Sequence, residues 1–128
     1  MADALRWYLR FLAALIVISA FGQLGLPARV AASSAWGYAP GWQHEIGFWN
    51  VAMYLVIIQT LRSKQPVACR TVTVALVVLQ FLAATNHAAA AIDTHALLNT
   101  LMSAVNYAGV AFGLVALYTS AAAARVEK

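Results

Sequence analysis

Residues 70–93 read RTVTVALVVLQFLAATNHAAAAID. An arginine opens the stretch, an aspartate closes it, and nothing charged lies between. A helix needs about 20 apolar residues to cross the hydrocarbon core of a bilayer, and this stretch supplies them. The rest of the chain repeats the pattern, with no charge between Arg10 and Arg29, between Glu45 and Arg62, or between Asp93 and Arg125. Of the 128 residues, 63% are hydrophobic and 9% are charged, against roughly 25% charged in a soluble domain. Backbone groups in lipid must be satisfied within their own segment, so these stretches read as helices. The expectation is an all-α, integral membrane four-helix bundle. It forms a single transmembrane domain over residues 1–128, with spans at about 7–26, 45–62, 70–91 and 95–119. Pro27 ends the first span, and Arg62-Ser-Lys-Gln-Pro66 is a polar turn before the third.

The basic residues set the orientation, because lysine and arginine collect in cytoplasmic loops. Arg6 and Arg10 precede or open the first span, Arg62, Lys64 and Arg70 surround the middle turn, and Arg125 and Lys128 follow the last span. Only Arg29 falls on the other side. Both termini and the middle turn are therefore expected in the cytoplasm, and the segments 27–44 and 92–95 outside, as in a bacterial inner-membrane protein. A cleaved signal peptide is the competing reading of the first span, with Val30-Ala31-Ala32 as its cleavage site. The run is long for that role, and its removal would leave three spans. The net charge of +4 does not point to nucleic acid, since the basic residues flank apolar segments instead of clustering on a solvated face. The single cysteine, Cys69, allows no internal disulfide.

Polar residues inside the spans are not spread evenly. Gln23, His44, Glu45, Asn50, Asn86, His87, Asp93, His95, Asn99, Ser103 and Asn106 all fall toward the outer side. The inner halves hold little beyond Gln59, Thr71, Thr73 and Gln80. An ionisable residue at the edge of a span is costly and marks a functional site by default. Glu45 fits that description, because only about 24 Å of helix separates it from Arg62, less than the bilayer core. Helical phase places Thr73, Gln80 and His87 on one face at every seventh residue, and Asn99, Ser103, Asn106 and Gly113 on another. Glu45 and Asn50, by contrast, stand about 140° apart on a regular helix. Gly109 and Gly113 form a GxxxG pair that permits close helix approach. The outer link over 27–44 carries Trp36, Tyr38 and Trp42 and is expected to lie on the surface as an aromatic collar or lid.

These residues suggest a pocket in the outer half. Glu45 and His87 are the catalytic candidates, an acid–base pair in which each tunes the other. Asn50, Asn86, Asn99 and Asn106 are candidate ligand-binding donors and acceptors. Many such residues serve only as interhelical hydrogen-bonding glue, which is the plainer reading for Asn99, Ser103 and Gln80. A metal held by Glu45, His87 and His44 is a weaker alternative, since no HxxxH or ExxH spacing supports it. Nucleophilic triads, phosphate loops and dinucleotide fingerprints are absent, so no cofactor is named.

The run Glu45-Ile46-Gly47-Phe48-Trp49-Asn50, with the late His87 of the third span and Asn106 with Gly109 of the fourth, resembles the small bacterial four-helix membrane proteins grouped as DoxX-like. That resemblance implies a link to membrane redox complexes, a quinone-related or accessory role, and Glu45, Asn50, His87 and Asn106 as site positions. The expected function is binding of a small, lipid-like or quinone-like molecule, with its acid–base conversion left open. A non-catalytic accessory subunit of a larger membrane complex is the alternative, with GxxxG packing on a partner. A lone transporter is a weaker third reading. Association with the bilayer is certain on this reading, and a homo-oligomer or partner subunit is expected.

Overall fold

A computed structural model describes residues 3–126 as five α-helices, with no strand among the described residues. They are α1 (Asp3–Gly25), α2 (Pro27–Ala32), α3 (Pro40–Ser63), α4 (Pro66–Thr94) and α5 (Leu97–Val126). Proline opens α2, α3 and α4, where its missing N–H costs nothing and its fixed φ suits a helix start. The turns after α3 and α4 are tight. Lys64 and His95 each adopt the left-handed conformation, at φ 55 and φ 54, and so stop their helices. Three helices are long and apolar enough to cross a membrane: α1, α4 and the Leu97–Ala123 part of α5. The helix α3 is 24 residues long, about 36 Å, but carries Gln43, His44, Glu45, Asn50, Gln59 and Arg62 and is not among them.

Two antiparallel hairpins make up the fold. In the first, α1 packs on α3, with Leu24 against Gly47 and the Asn50 amide donating to Ser19 Oγ at 2.9 Å. In the second, α4 packs on α5, and Ser103 Oγ donates to the Ala84 carbonyl at 3.1 Å. The hairpins meet mainly along α1, which contacts both α5 and α4. At the centre lie Tyr8, Leu9, Ile57, Cys69, Leu76 and Ala116, all essentially buried. The seventh-residue stripe of α4 turns inward as its phase requires, with Thr73 and Gln80 buried and His87 half-buried. Outside, large apolar residues of every long helix remain exposed, among them Ile18, Phe48, Leu82 and Val115. A shell of this kind suits lipid and would be an aggregation liability in water.

Between α1 and α3 the expected aromatic link is more structured than its composition suggests. Residues 27–32 form α2, which folds back so that a Val30 methyl lies 3.3 Å from where a Gly22 Cβ would stand. The helix α3 begins at Pro40, five residues before the expected start, so Glu45 sits in its second turn and not at its beginning. Only residues 33–39 remain non-helical.

The two glycines of α5 serve the interior of the chain. A Cβ at Gly113 would collide with a Val77 methyl and the Tyr8 ring, and one at Gly109 would collide with the Gln80 amide. That amide is not free to move aside, because its Oε1 accepts a 2.8 Å hydrogen bond from the buried Tyr8 hydroxyl. The GxxxG pair is therefore covered within the chain, and the close approach it permits is that of α4 and α1 to α5.

Gly109→Ala and Tyr8→Phe should each destabilise the protein by about 1–3 kcal/mol, because both leave buried polar atoms of Gln80 or Tyr8 unpaired. Since they remove the same bond, the double variant should cost much less than the sum of the two. Reversible unfolding in mixed detergent, run as a double-mutant cycle, measures the difference, and simple additivity would refute the shared mechanism. Lys64→Gly and His95→Gly should raise stability by about 1 kcal/mol each, because glycine takes the left-handed conformation without the Cβ clash. A lowered midpoint for both would show that the lysine and histidine side chains contribute more than the backbone strain costs.

Candidate functional site

The end of the bundle that holds the α1–α3 connection and the α4–α5 turn is organised by one side-chain amide. Asn99, in the first turn of α5, is fully buried. Its Oδ1 accepts a 2.8 Å hydrogen bond from the Ala35 backbone N–H, and its Nδ2 lies 3.3 Å from His87 Nδ1 on α4. A backbone N–H can only donate, so it fixes which end of the amide is oxygen. The NH₂ end then faces His87, and Nδ1 must accept. The imidazole is therefore neutral in this arrangement and carries its proton on Nε2. Among the described residues Nε2 has no hydrogen-bonding partner.

Over this pair lies the connector 33–39. Ser33 and Ser34 donate to carbonyls of α2, and Ser34 Oγ also receives the Trp36 N–H at 3.4 Å. Gly37 turns the chain at φ +69, a conformation that favours glycine. Gln43 Nε2 then reaches back from α3 to the Gly37 carbonyl at 3.5 Å. The result is a short strap that leaves the first hairpin, crosses to the second, and returns. Trp36, half exposed, sits at its apex with its ring 4.9 Å from the His87 ring and tilted by 52°. The strap carries Trp36 of the expected aromatic link across to α4 and α5. What gives Trp36 its place is the bond between Ala35 and Asn99, which the sequence does not announce.

The other expected site residues take different places. The Glu45 side chain is exposed on α3, while His87 is engaged by Asn99 and Trp36, so the structure does not bring the expected acid–base pair together. Nor does it unite Glu45 with Asn50, which turns toward α1 and spends its amide on Ser19. Asn86 is exposed. Asn106 is half-buried and returns its amide to the Met102 carbonyl of its own helix at 2.7 Å. His44 is exposed and lies near Phe48. Nearby, Gln23 and Gln43 each carry a buried amide oxygen with no hydrogen-bond partner. Among the described residues no three His, Cys, Asp or Glu side chains gather closely enough to hold a metal ion. Trp36 and the Ala35 N–H are the members that sequence reasoning missed as parts of the site. A serine pair and a glycine flanking a tryptophan were the available signal of a built turn.

Asn99→Leu should free the strap, since it removes the acceptor for Ala35 N–H and the donor to His87 together. The expected signs are a red-shifted, more quenchable tryptophan emission and faster proteolysis within 33–39, with the helical content unchanged. His87→Phe should keep the ring contact and leave proteolysis slow. Equal protection in the wild type and Asn99→Leu would mean that the amide does not hold the strap. The chain matches no family model, no curated protein and no solved structure.

Proposed function

We propose that the chain is a four-span protein of a bacterial inner membrane, with both termini cytoplasmic. Its outer end would bind a small amphipathic molecule of the quinone-like or lipid-like class. The single observation that carries this reading is the fixed amide of Asn99, which commits His87 Nδ1 as an acceptor and leaves Nε2–H as a donor beside the half-exposed Trp36 ring. One donor next to an indole face suits a carbonyl-bearing ring: the imidazole donates to the carbonyl oxygen, and the indole covers the ring plane. Glu45 and Asn86, exposed at the same end, form a polar rim where a headgroup or a second carbonyl would lie. Asn50 and Asn106 support the helices that frame the site and do not enter it.

Several observations support the membrane setting. Trp36, Tyr38 and Trp42 are exposed toward one end, and Trp7 and Tyr118 are exposed toward the other, as interfacial aromatic belts require. Arg6, Arg10, Arg62, Lys64 and Arg70 share the second end, which the basic bias assigns to the cytoplasm. The helix α3 completes the set as the least apolar span, long enough at 24 residues and sheltered along α1.

The direct test is native mass spectrometry after gentle extraction from the source membrane. A defined small mass on a monomer or homo-oligomer supports the reading, whereas a complex with other subunits and no small ligand sinks it. Binding of a short-chain benzoquinone, followed by tryptophan quenching, supplies the residue-level check. His87→Phe should weaken binding by about two- to ten-fold, the value of one hydrogen bond, and Trp36→Leu should abolish most of the quenching. Unchanged binding in both variants would exclude the His87–Trp36 site.

A further inference from the structure

Away from the Asn99 clasp, the outer face of the first hairpin carries two adjoining hollows of about 400 Å³ and about 410 Å³. They share Val17 and Tyr54 as a common wall and together form one groove between α1 and α3. The groove is lined by Ala13, Ala14, Val17, Phe21, Tyr54 and Ile58 and runs from Arg10 and Leu61 up to Gly25. From Arg10 to Gly25 that is about 22 Å along α1, more than half the thickness of a bilayer core. Small side chains at Ala13, Ala14 and Ala20 on one wall create the depression, and Tyr54 of α3 borders it on the other.

The lower mouth of the groove is charged. Arg10 is exposed there, and its guanidinium lies 4.9 Å from the centre of the Trp7 ring. An exposed tryptophan seeks the headgroup level, so Trp7 holds that guanidinium where phosphates lie. Arg6, Arg62 and Lys64 belong to the same end of the hairpin, and Asp3 is the one acid at that end among the described residues. An apolar channel that ends at a cluster of cations, with almost no acid to neutralise them, matches one kind of molecule. We propose that the α1–α3 groove is a binding site for an anionic phospholipid of the leaflet at the basic end. One acyl chain lies along Ala14, Val17 and Phe21, and the phosphate pairs with Arg10. This rests on the membrane reading and is independent of the outer ligand site. Charge selects the lipid, since a zwitterionic headgroup gains little from the cluster, whereas each basic side chain near the surface adds attraction for an anionic one.

The probes are phosphatidylglycerol and phosphatidylcholine with identical chains, added to delipidated full-length protein and read by native mass spectrometry and by the thermal midpoint. Phosphatidylglycerol should be retained and should stabilise; phosphatidylcholine should do so at least several-fold less. Arg10→Gln should weaken phosphatidylglycerol by about five-fold, the ratio equivalent to about 1 kcal/mol, and leave phosphatidylcholine unchanged. Ala14→Trp, at an exposed position, should weaken retention of both by filling the groove. Arg70→Gln, exposed and outside the groove, should alter neither. Equal retention of the two lipids, equal effects of Arg10→Gln and Arg70→Gln, or a dimer that Ala14→Trp dissolves would each overturn the proposal. The last would assign the groove to a second copy of the chain. Because His87→Phe and Trp36→Leu leave this groove intact, failure at the outer site and failure here are separately visible.

Discussion

The hydrogen bond from the Tyr8 hydroxyl to the Gln80 amide oxygen joins the two hairpins in the buried middle of the molecule. Lipid gives apolar helices no hydrophobic reason to associate, so close packing and polar contacts must do it. Everything around that bond is shaped to permit it. Gly109 leaves room for the amide, and Gly113 leaves room for Val77 and the Tyr8 ring. Phe112 meets the same ring edge to face, with centroids 5.6 Å apart. Leu76 and Ala116 close the remaining space. A side chain at either glycine would part α4 from α5 at the level where α1 needs both.

At the end of the bundle near the α4–α5 turn the same requirement is met by different means. There the chain must leave α1 and return to α3, and its backbone groups need partners. The strap finds some within itself, through Ser34 and Gln43, and one from the opposite hairpin, through Asn99. A structural need thereby sets the chemistry of His87. Once Asn99 is committed to Ala35, the histidine has a defined acceptor nitrogen and a defined donor nitrogen. The strap and the histidine share a single amide.

Much of the fold was legible because lipid imposes so few solutions. Charge-free stretches marked the three most apolar long helices, and the seventh-residue spacing of Thr73, Gln80 and His87 marked the buried face of α4. Where legibility failed, tertiary contact decided. Helix α3 starts at Pro40 because proline is a good first residue, whereas charge alone marks Glu45 as the boundary. The GxxxG pair was visible, but a sequence does not say whether its neighbour comes from the same chain. Glu45 and His87 lie toward the same end of the bundle, one exposed and the other engaged by Asn99 and Trp36, which depth alone does not reveal. Asn99 reads either as a ligand contact or as interhelical glue, and its oxygen is occupied by the protein's own backbone.

Only two hydrogen bonds among the described residues tie one hairpin to the other, and each reaches far along the chain. Tyr8 and Gln80 are 72 residues apart, and Ala35 and Asn99 are 64 apart. During synthesis the first hairpin is therefore complete while its Tyr8 hydroxyl and its strap still lack their partners. The partner in the first bond lies on α4, and the partner in the second lies in the opening turn of α5. Both closures thus depend on α5: its first turn supplies Asn99 for the strap, and the later Gly109, Phe112, Gly113 and Ala116 enclose Tyr8 and Gln80, so neither end of the bundle can be completed by the first three long helices alone.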